Sequence, residues 1–326
     1  MIYAVISLGV LAILLSLGLG IASKVFSVDV DPKVEAVNEA LPQANCGGCG
    51  YAGCSNFAEA VVKGEIEPSG CVACSEDVII KVSAILGVEA VTGVKKIAHV
   101  KCSGTRELCE NKFDYSGFRD CVGAQLIGGG YKGCEHGCLR LGTCESVCPF
   151  DAIKVEEDGI PVVNEDKCTG CGNCVKSCPR KILELVPINK KVRVFCNSKD
   201  KGSIVRKICK AGCIGCGKCE RICPVNAIVV KDNLAIIDYD KCISCGLCVS
   251  ECPQNVIHEL DVTTKSKAVI LEEPCVGCGK CKKICPVNAI SGAIKETHVV
   301  NANQCKGCGL CVDNCPKNAI VMKNSV

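Results

Sequence analysis

Five stretches of this chain repeat one cysteine spacing, C-x2-C-x2-C-x3-C-P: CTGCGNCVKSCP at 168–179, CIGCGKCERICP at 213–224, CISCGLCVSECP at 242–253, CVGCGKCKKICP at 275–286 and CKGCGLCVDNCP at 305–316. Thiolates this close in the chain converge on one small inorganic core, and the spacing closed by proline suits a 4Fe–4S cluster. Glycines between the ligands let the backbone wrap that core and turn N–H groups toward its sulfurs. Zinc is the competing chemistry, but structural zinc sites typically set two C-x2-C pairs a dozen or more residues apart. A disulfide scaffold is disfavoured, because cysteines two or three residues apart are poorly placed to staple distant loops. Groups of this kind move electrons one at a time and call for no acid, base or nucleophile.

A sixth copy is stretched. CEHGCLRLGTCESVCP places Cys134, Cys138, Cys144 and Cys148 at spacing 3-5-3, yet it ends in Cys-Pro and runs into FDAIKV. A different motif precedes all of these: Cys46, Cys49 and Cys54 in NCGGCGYAGC, then Cys71 after sixteen residues. It supplies four thiolates for a separate 4Fe–4S cluster, with zinc again the alternative. Of the 34 cysteines, six remain: Cys74, Cys102, Cys109, Cys121, Cys196 and Cys209. A buried free thiol is the ordinary reading of any one of them. Four of Cys102, Cys109, Cys121, Cys196 and Cys209 would suffice for an eighth cluster across two modules, and the sequence does not choose the four.

In two-cluster ferredoxins the fourth cysteine of each motif crosses to the other cluster. Taken in chain order, that rule pairs the six motifs into three modules. Cys134, Cys138, Cys144 and Cys178 form one set, and Cys168, Cys171, Cys174 and Cys148 its neighbour. Cys213, Cys216, Cys219 and Cys252 go with Cys242, Cys245, Cys248 and Cys223. Cys275, Cys278, Cys281 and Cys315 go with Cys305, Cys308, Cys311 and Cys285. With Cys46, Cys49, Cys54 and Cys71 this makes seven 4Fe–4S clusters, or eight if the leftover thiols converge.

The elements that position these ligands are short. Apolar tails such as VNAIVV at 225–230 and KNAIVM at 317–322 predict a turn after the fourth cysteine and then a strand. DPKVEAVNEAL at 31–41 predicts a helix capped by Asp31 with Pro32 in its first turn. Aromatics are 3% of the chain and tryptophan is absent, so these modules bury little apolar surface and depend on metal binding for folding energy. Thiolate-held clusters also call for a reducing compartment. The net charge of +3 argues against nucleic acid as the main partner. Lys95-Lys96, Lys190-Lys191 and Lys282-Lys283 read as solvated faces, with a docking patch for an acidic partner as the sharper alternative. His99, His136, His258 and His298 lack ligand spacing, GGG at 128–130 reads as a loop, and no nucleotide motif follows a strand.

IYAVISLGVLAILLSLGLGIA at 2–22 carries no charge and as a helix spans roughly 30 Å, the thickness of a bilayer core. A signal peptide would want a basic start and a small-residue cleavage site; neither is clear here. Lys24 follows the run, so the positive-inside rule puts the metal domains on the cytoplasmic side of the cell membrane. The sequence therefore predicts an α+β chain. It has a single N-terminal transmembrane helix, a small one-cluster domain and three tandem two-cluster ferredoxin-like modules, divided at 1–24, 25–95, 96–195, 196–262 and 263–326. Segments 180–212 and 260–274 read as linkers, with TTKSK at 263–267 as the hinge.

A single span, then the Cys46–Cys71 motif, then repeated Cys-Pro modules resembles the B subunit of the Rnf complex in its long clostridial-type form. CEHGCLRLGTCESVCPFDAI is similar to the corresponding region of those members. The resemblance covers the whole chain, which departs from shorter members in having three modules instead of one. It implies a subunit of a membrane-bound ferredoxin:NAD+ oxidoreductase, a translocase that moves Na+ or H+. It further implies that electrons are accepted from reduced soluble ferredoxin and relayed to integral membrane subunits and to the subunit that binds flavin and NAD. The Cys46–Cys71 cluster would be the hand-off point beside the membrane, and the distal modules the antenna for soluble donors. The alternative is a membrane-anchored polyferredoxin serving another respiratory or hydrogenase system. A zinc-based interaction protein is disfavoured by the Cys-Pro repeats.

Overall fold

The structure, a computed structural model, describes residues 2–25, 31–260 and 266–324, with the side chains of residues 2, 4, 5, 7, 8, 23, 25 and 324 outside that description. The chain divides into two compact units, Met1–Thr92 and Gly93–Val326.

In the first unit, α1 (Ile2–Val25) takes up the uncharged N-terminal run as one continuous helix. Among the described residues no helix is long and apolar enough to cross a membrane. Then come α2 (Pro32–Ala40), α3 (Cys54–Val62) and α4 (Glu76–Leu86). The expected cap is present: an Asp31 carboxylate oxygen accepts from the Lys33 N–H at 2.8 Å, and Pro32 opens the helix, where its missing N–H costs nothing. Gly87 ends α4 in the left-handed region at φ 73°, as a C-terminal glycine commonly does. Val37, Phe57, Val61 and Val82 form a small core with Cys71.

The second unit contains β1 (Lys96–Val100), α5 (Cys121–Leu126), α6 (Thr143–Ser146), β2 (Ile153–Val155), β3 (Pro161–Val163), α7 (Asn173–Ser177) and β4 (Leu183–Pro187). There follow β5 (Val192–Val194), α8 (Gly202–Ile208), α9 (Lys218–Ile222), β6 (Ile228–Lys231), β7 (Leu234–Ile237), α10 (Leu247–Ser250) and β8 (Ile257–Glu259). The last set is β9 (Ser266–Ile270), α11 (Lys280–Ile284), β10 (Ile290–Ser291), β11 (Val299–Val300), α12 (Leu310–Asp313) and β12 (Ile320–Asn324).

One plan is used three times. The first and last strands of each module pair antiparallel, β1 with β4, β5 with β8 and β9 with β12. The inner strands form a second two-stranded sheet, β2 with β3, β6 with β7 and β10 with β11. Two short helices carry the third cysteine of each motif, from Cys144 in α6 and Cys174 in α7 to Cys311 in α12. The cysteines are themselves core residues: Cys168 and Cys174 pack with Ile97, Ile182 and Val186, and Cys219 and Cys242 with Val192, Ile228 and Val256.

Several expectations shift. Segment 180–212 is not a linker, since β4, β5 and α8 lie in it. β5 pairs with β8, so the second module begins before residue 196. The hinge expected at 263–267 falls mostly outside the described residues, while Ser266 and Lys267 belong to β9. Of the lysine pairs, Lys95-Lys96 and Lys282-Lys283 are exposed, but Lys190-Lys191 is not merely solvated. Lys191 and Arg193 both hold Glu165 of the first module, at 3.2 and 2.8 Å, and Lys190 Nζ donates to the Cys242 carbonyl. These bonds, with His99 Nε2 against Val194 O at 2.8 Å and the Ser103 N–H donating to Phe195 O at 3.1 Å, fix the first module on the second.

Candidate metal centres

The backbone positions the ligands before any metal is considered. After the fourth cysteine of each motif the chain turns through a left-handed residue: Asp151, Lys181, Asn226, Asn255, Asn288 and Asn318 have φ between 47° and 50°. That conformation costs a side-chain-bearing residue about 1–2 kcal/mol, and asparagine tolerates it best. In five of the six turns the next N–H points back at the cysteine just passed. Ala152 donates to Cys148 Sγ at 3.4 Å, Ala227 to Cys223 at 3.2 Å, Val256 to Cys252 at 3.4 Å, and Ala289 and Ala319 to Cys285 and Cys315, both at 3.3 Å. Such bonds favour the sulfur carrying negative charge, as in a bound thiolate. At the other end of the loop Gly170, at φ 75°, leaves no room for a side chain: a Cβ there would lie 2.3 Å from Lys96 O.

Four cavities, each within one module, are ringed by four cysteines. Cys275, Cys278, Cys281 and Cys315 line one of about 350 Å3, and Cys213, Cys216, Cys219 and Cys252 one of about 360 Å3. Cys242, Cys245, Cys248 and Cys223 line one of about 340 Å3. In each, three cysteines come from one motif and the fourth from its partner. Burial pushes the Cys174 thiol up to about 12, and repulsion from Cys168, Cys171 and Cys148 adds to it, so that quartet also stands together. Burial likewise lifts Cys311 to about 11, with Cys308, Cys305 and Cys285 contributing. Thiols held this high keep their protons at neutral pH until a metal displaces them, so cluster binding releases protons. Among the described residues no group of three or more His, Cys, Asp or Glu side chains could hold a metal ion; the cysteines enclose space instead. Four thiols around each cavity and N–H donors aimed at sulfur fit 4Fe–4S cores.

The fourth cavity changes one grouping. It is about 350 Å3 and is lined by Cys121, Cys138, Cys144 and Cys178. Cys134, expected in this set, lies elsewhere, packed with Cys109 and Cys209. The motif is not stretched after all. Cys138 and Cys144 are six residues apart, like Cys213 and Cys219, and Leu141 stands where the middle cysteine belongs. Cys121, at the start of α5, fills the vacancy from outside the motif. The spacing of Cys138, Cys144 and Cys148 was the available signal; the donor of the missing thiol was not, because the contact is non-local.

In the first unit Cys74, counted as a leftover, hydrogen-bonds Cys71, and repulsion from Cys71, Cys54 and Cys49 adds to burial in raising its thiol. Cys49, Cys54 and Cys71 thus gather with Cys74, and the Cys54 N–H donates to Asn45 Oδ1 at 2.8 Å. Between the second and third modules Cys245 is raised by burial and then by Cys308, which places ligands of two different sets within electrostatic reach. His99 is buried against Phe195, with the rings edge-to-face at 4.7 Å, and His136 faces Asp200 at 3.6 Å; His298, buried, lines the cavity of Cys275, Cys278, Cys281 and Cys315.

Comparison with known proteins agrees with this geometry. Residues 41–73 match a family model described as a putative Fe-S cluster. Residues 161–184 match a 4Fe-4S binding domain, and 4Fe-4S dicluster domains match 212–256, 235–291 and 268–322. The chain is 48% identical over 234 residues to the B subunit of the Na(+)-translocating ferredoxin:NAD(+) oxidoreductase complex of Acetobacterium woodii, covering 72% of this chain and 70% of that one. It is 42% identical over 230 residues to the B subunit of the proton-translocating ferredoxin:NAD(+) oxidoreductase complex of Clostridium ljungdahlii, covering 70% and 81%. It is 43% identical over 221 residues to the B subunit of the ion-translocating oxidoreductase complex of Methanosarcina acetivorans, covering 68% and 84%.

Proposed function

This chain belongs to the B-subunit family of the ion-translocating ferredoxin:NAD+ oxidoreductase, or Rnf, complexes, and from that premise we propose that it is the iron–sulfur relay of such a complex. It accepts electrons from reduced ferredoxin and delivers them to the membrane and flavin subunits that reduce NAD+. The observation that carries this reading is the joining of the 41–73 iron–sulfur domain to tandem two-cluster modules in a chain 48% identical over 234 residues to a subunit of that name.

Seven ligand sets follow. Cys46, Cys49, Cys54 and Cys71 hold one cluster in the first unit. Cys121, Cys138, Cys144 and Cys178, with Cys168, Cys171, Cys174 and Cys148, hold two in the first module. Cys213, Cys216, Cys219 and Cys252, with Cys242, Cys245, Cys248 and Cys223, hold two in the second. Cys275, Cys278, Cys281 and Cys315, with Cys305, Cys308, Cys311 and Cys285, hold two in the third. When bound, each cluster takes up and gives up one electron, at a potential set by hydrogen bonds, charge and exposure. The chain's part is to bring the sets close, by exchanging the fourth cysteine within a module and by keeping Cys245 within electrostatic reach of Cys308 between modules. The N–H groups directed at the fourth sulfurs stabilise the reduced, more negative state. Cys216 and Cys278 are exposed, which gives a docked soluble donor short access to two sets.

α1 is the membrane anchor in this reading. Residues 2–22 are uncharged, the helix runs 24 residues, about 36 Å at 1.5 Å per residue, and its described apolar side chains, from Tyr3 at 89% to Ile21 at 58%, are open to the surroundings. Lys24 at its C-terminal end supports, by the positive-inside rule, a cytoplasmic side for the metal domains.

The test is direct reduction. Full-length chain isolated anaerobically is mixed with reduced ferredoxin while its visible absorbance is followed. Bleaching within the mixing experiment supports ferredoxin as donor. A chain that dithionite bleaches but ferredoxin does not serves another donor.

A further inference from the structure

The thiols left over after seven sets meet at the seam between the first and second modules. Cys102, Cys134, Cys196 and Cys209 line one cavity of about 340 Å3, the size of the other cysteine-ringed cavities at about 340–360 Å3. Two come from each module, and they come from matching places. Cys102 lies two residues beyond β1, and Cys196 two residues beyond β5. Cys134 precedes Cys138 by four residues, and Cys209 precedes Cys213 by four. The hydrogen bonds match too: the Cys138 N–H donates to Cys102 Sγ at 3.4 Å, and the Cys213 N–H to Cys196 Sγ at 3.3 Å. Stray thiols packed for their apolar character have no reason to reproduce strand position, chain offset and donor together.

Charge gives an independent indication. Lys132 is 1% exposed. Its ammonium donates to Gly104 O at 2.7 Å and lies 3.6 Å from Cys102 Sγ, and among the described residues it meets no carboxylate. A lysine is almost never fully buried without an opposite charge, and the thiols are the groups there that can supply one. Two buried guanidinium groups join it. Arg180 donates to the Cys134 and Gly137 carbonyls at 2.6 and 2.8 Å, and Arg140 to those of Gly104 and Cys109 at 2.9 and 2.8 Å. Lys132 lines the thiol ring itself, and Arg180 and Arg140 hold backbone carbonyls of residues beside it, so buried positive charge stands next to the place of a thiolate-bound core.

We propose that Cys102, Cys134, Cys196 and Cys209 bind an eighth 4Fe–4S cluster between the first two modules, with Cys121 taking the place of Cys134 in the first. This rests on the reading that the other thiol sets hold clusters. Cys109, whose backbone pairs with that of Cys209 in an isolated antiparallel β-bridge, does not line the cavity and is a neighbour, not a ligand. The site joins the modules electronically. Cys138 and Cys213, ligands of one set in each module, are hydrogen-bonded to Cys102 and Cys196. An electron crosses the seam as one module's cluster is oxidised and the other's is reduced, with no further reactant.

The test counts iron, acid-labile sulfide and zinc in the anaerobically isolated full-length chain and in Cys196→Ala/Cys209→Ala, with Cys109→Ser as control. Eight clusters give about 32 irons per chain against about 28 for seven. The double variant is expected to lose about four irons and about four sulfides and no zinc, and Cys109→Ser none. Iron unchanged in the double variant overturns the site, and so does one zinc lost in place of four irons. A native count near 28 that the double variant still lowers by about four supports the seam cluster and removes one of the other seven. If the double variant does not accumulate, anomalous diffraction at the iron edge from the native chain reads the same point: density between Cys102 and Cys196 supports the proposal, and its absence overturns it.

Discussion

Asn226 shows what one residue contributes to a cluster site. At φ 50° it turns the chain so that the Ala227 N–H reaches Cys223 Sγ at 3.2 Å. Glycine adopts this conformation freely, whereas a β-branched residue pays the left-handed penalty and relaxes away from it. Asn226→Gly is expected to leave the thermal midpoint of the cluster-loaded chain within error, and Asn226→Val to cost about 1–2 kcal/mol and shift the potential of the Cys242–Cys223 set downward. Anaerobic melting and a redox titration read both. The asparagines after Cys-Pro were visible in the sequence, and so was the turn. The quartet of Cys121 was not, because nothing local to Cys121 announces that it replaces a ligand at Leu141. At Gly170, where a Cβ would meet Lys96 O at 2.3 Å, the glycine could be read from the motif, but its steric reason needed β1 in place.

At the scale of elements, β5 decides how two modules become one body. Its Val194 carbonyl meets His99 on β1, and Phe195 lies between the rings of His99 and His258. Burial holds His99 down to about 4 from its usual 6.5, the Val194 bond opposes this, and Arg193 and Lys101 reinforce it against Glu165. A histidine whose folded value is depressed contributes stability that is present above the unfolded value and is lost as pH falls toward the folded one. The docking of these modules is therefore expected to weaken between pH 6.5 and about 4, by on the order of 3 kcal/mol at the acid end. His99→Gln, which keeps a donor for Val194 O, should flatten that slope in unfolding measured across the window; an unaltered slope would assign it to other groups. The exchange of fourth cysteines was legible from the repeat; the outer strand pairs were not, because β5 and β9 lie in the segments 180–212 and 260–274 that read as linkers. The start of the second module at β5 was not, since three residues of strand next to a lysine pair look like a linker. α1 carries its own test. Alkaline extraction is expected to leave the intact chain in the membrane and to release a chain lacking residues 2–25; release of both would remove the anchor.

For the molecule as a whole, the three modules are one arrangement repeated, and the chain lengthens its electron path by adding copies. Each module is too small for a stable apolar core of its own, and its cysteines sit at the centre of the core that exists, so cofactor loading and folding are one process. The relatives' names divide between sodium and proton translocation, which matches a component that carries electrons and has no charged group in its apolar N-terminal helix through residue 22. The central claim is that this relay lies between ferredoxin and NAD+. The measurement is ferredoxin-dependent NAD+ reduction in anaerobic membranes with the chain present, deleted, restored, and restored as Cys46→Ser/Cys49→Ser. Deletion should abolish the activity, the intact chain should restore it, and the double variant should not. Activity that persists without the chain would contradict the account and leave the protein a carrier for another membrane system.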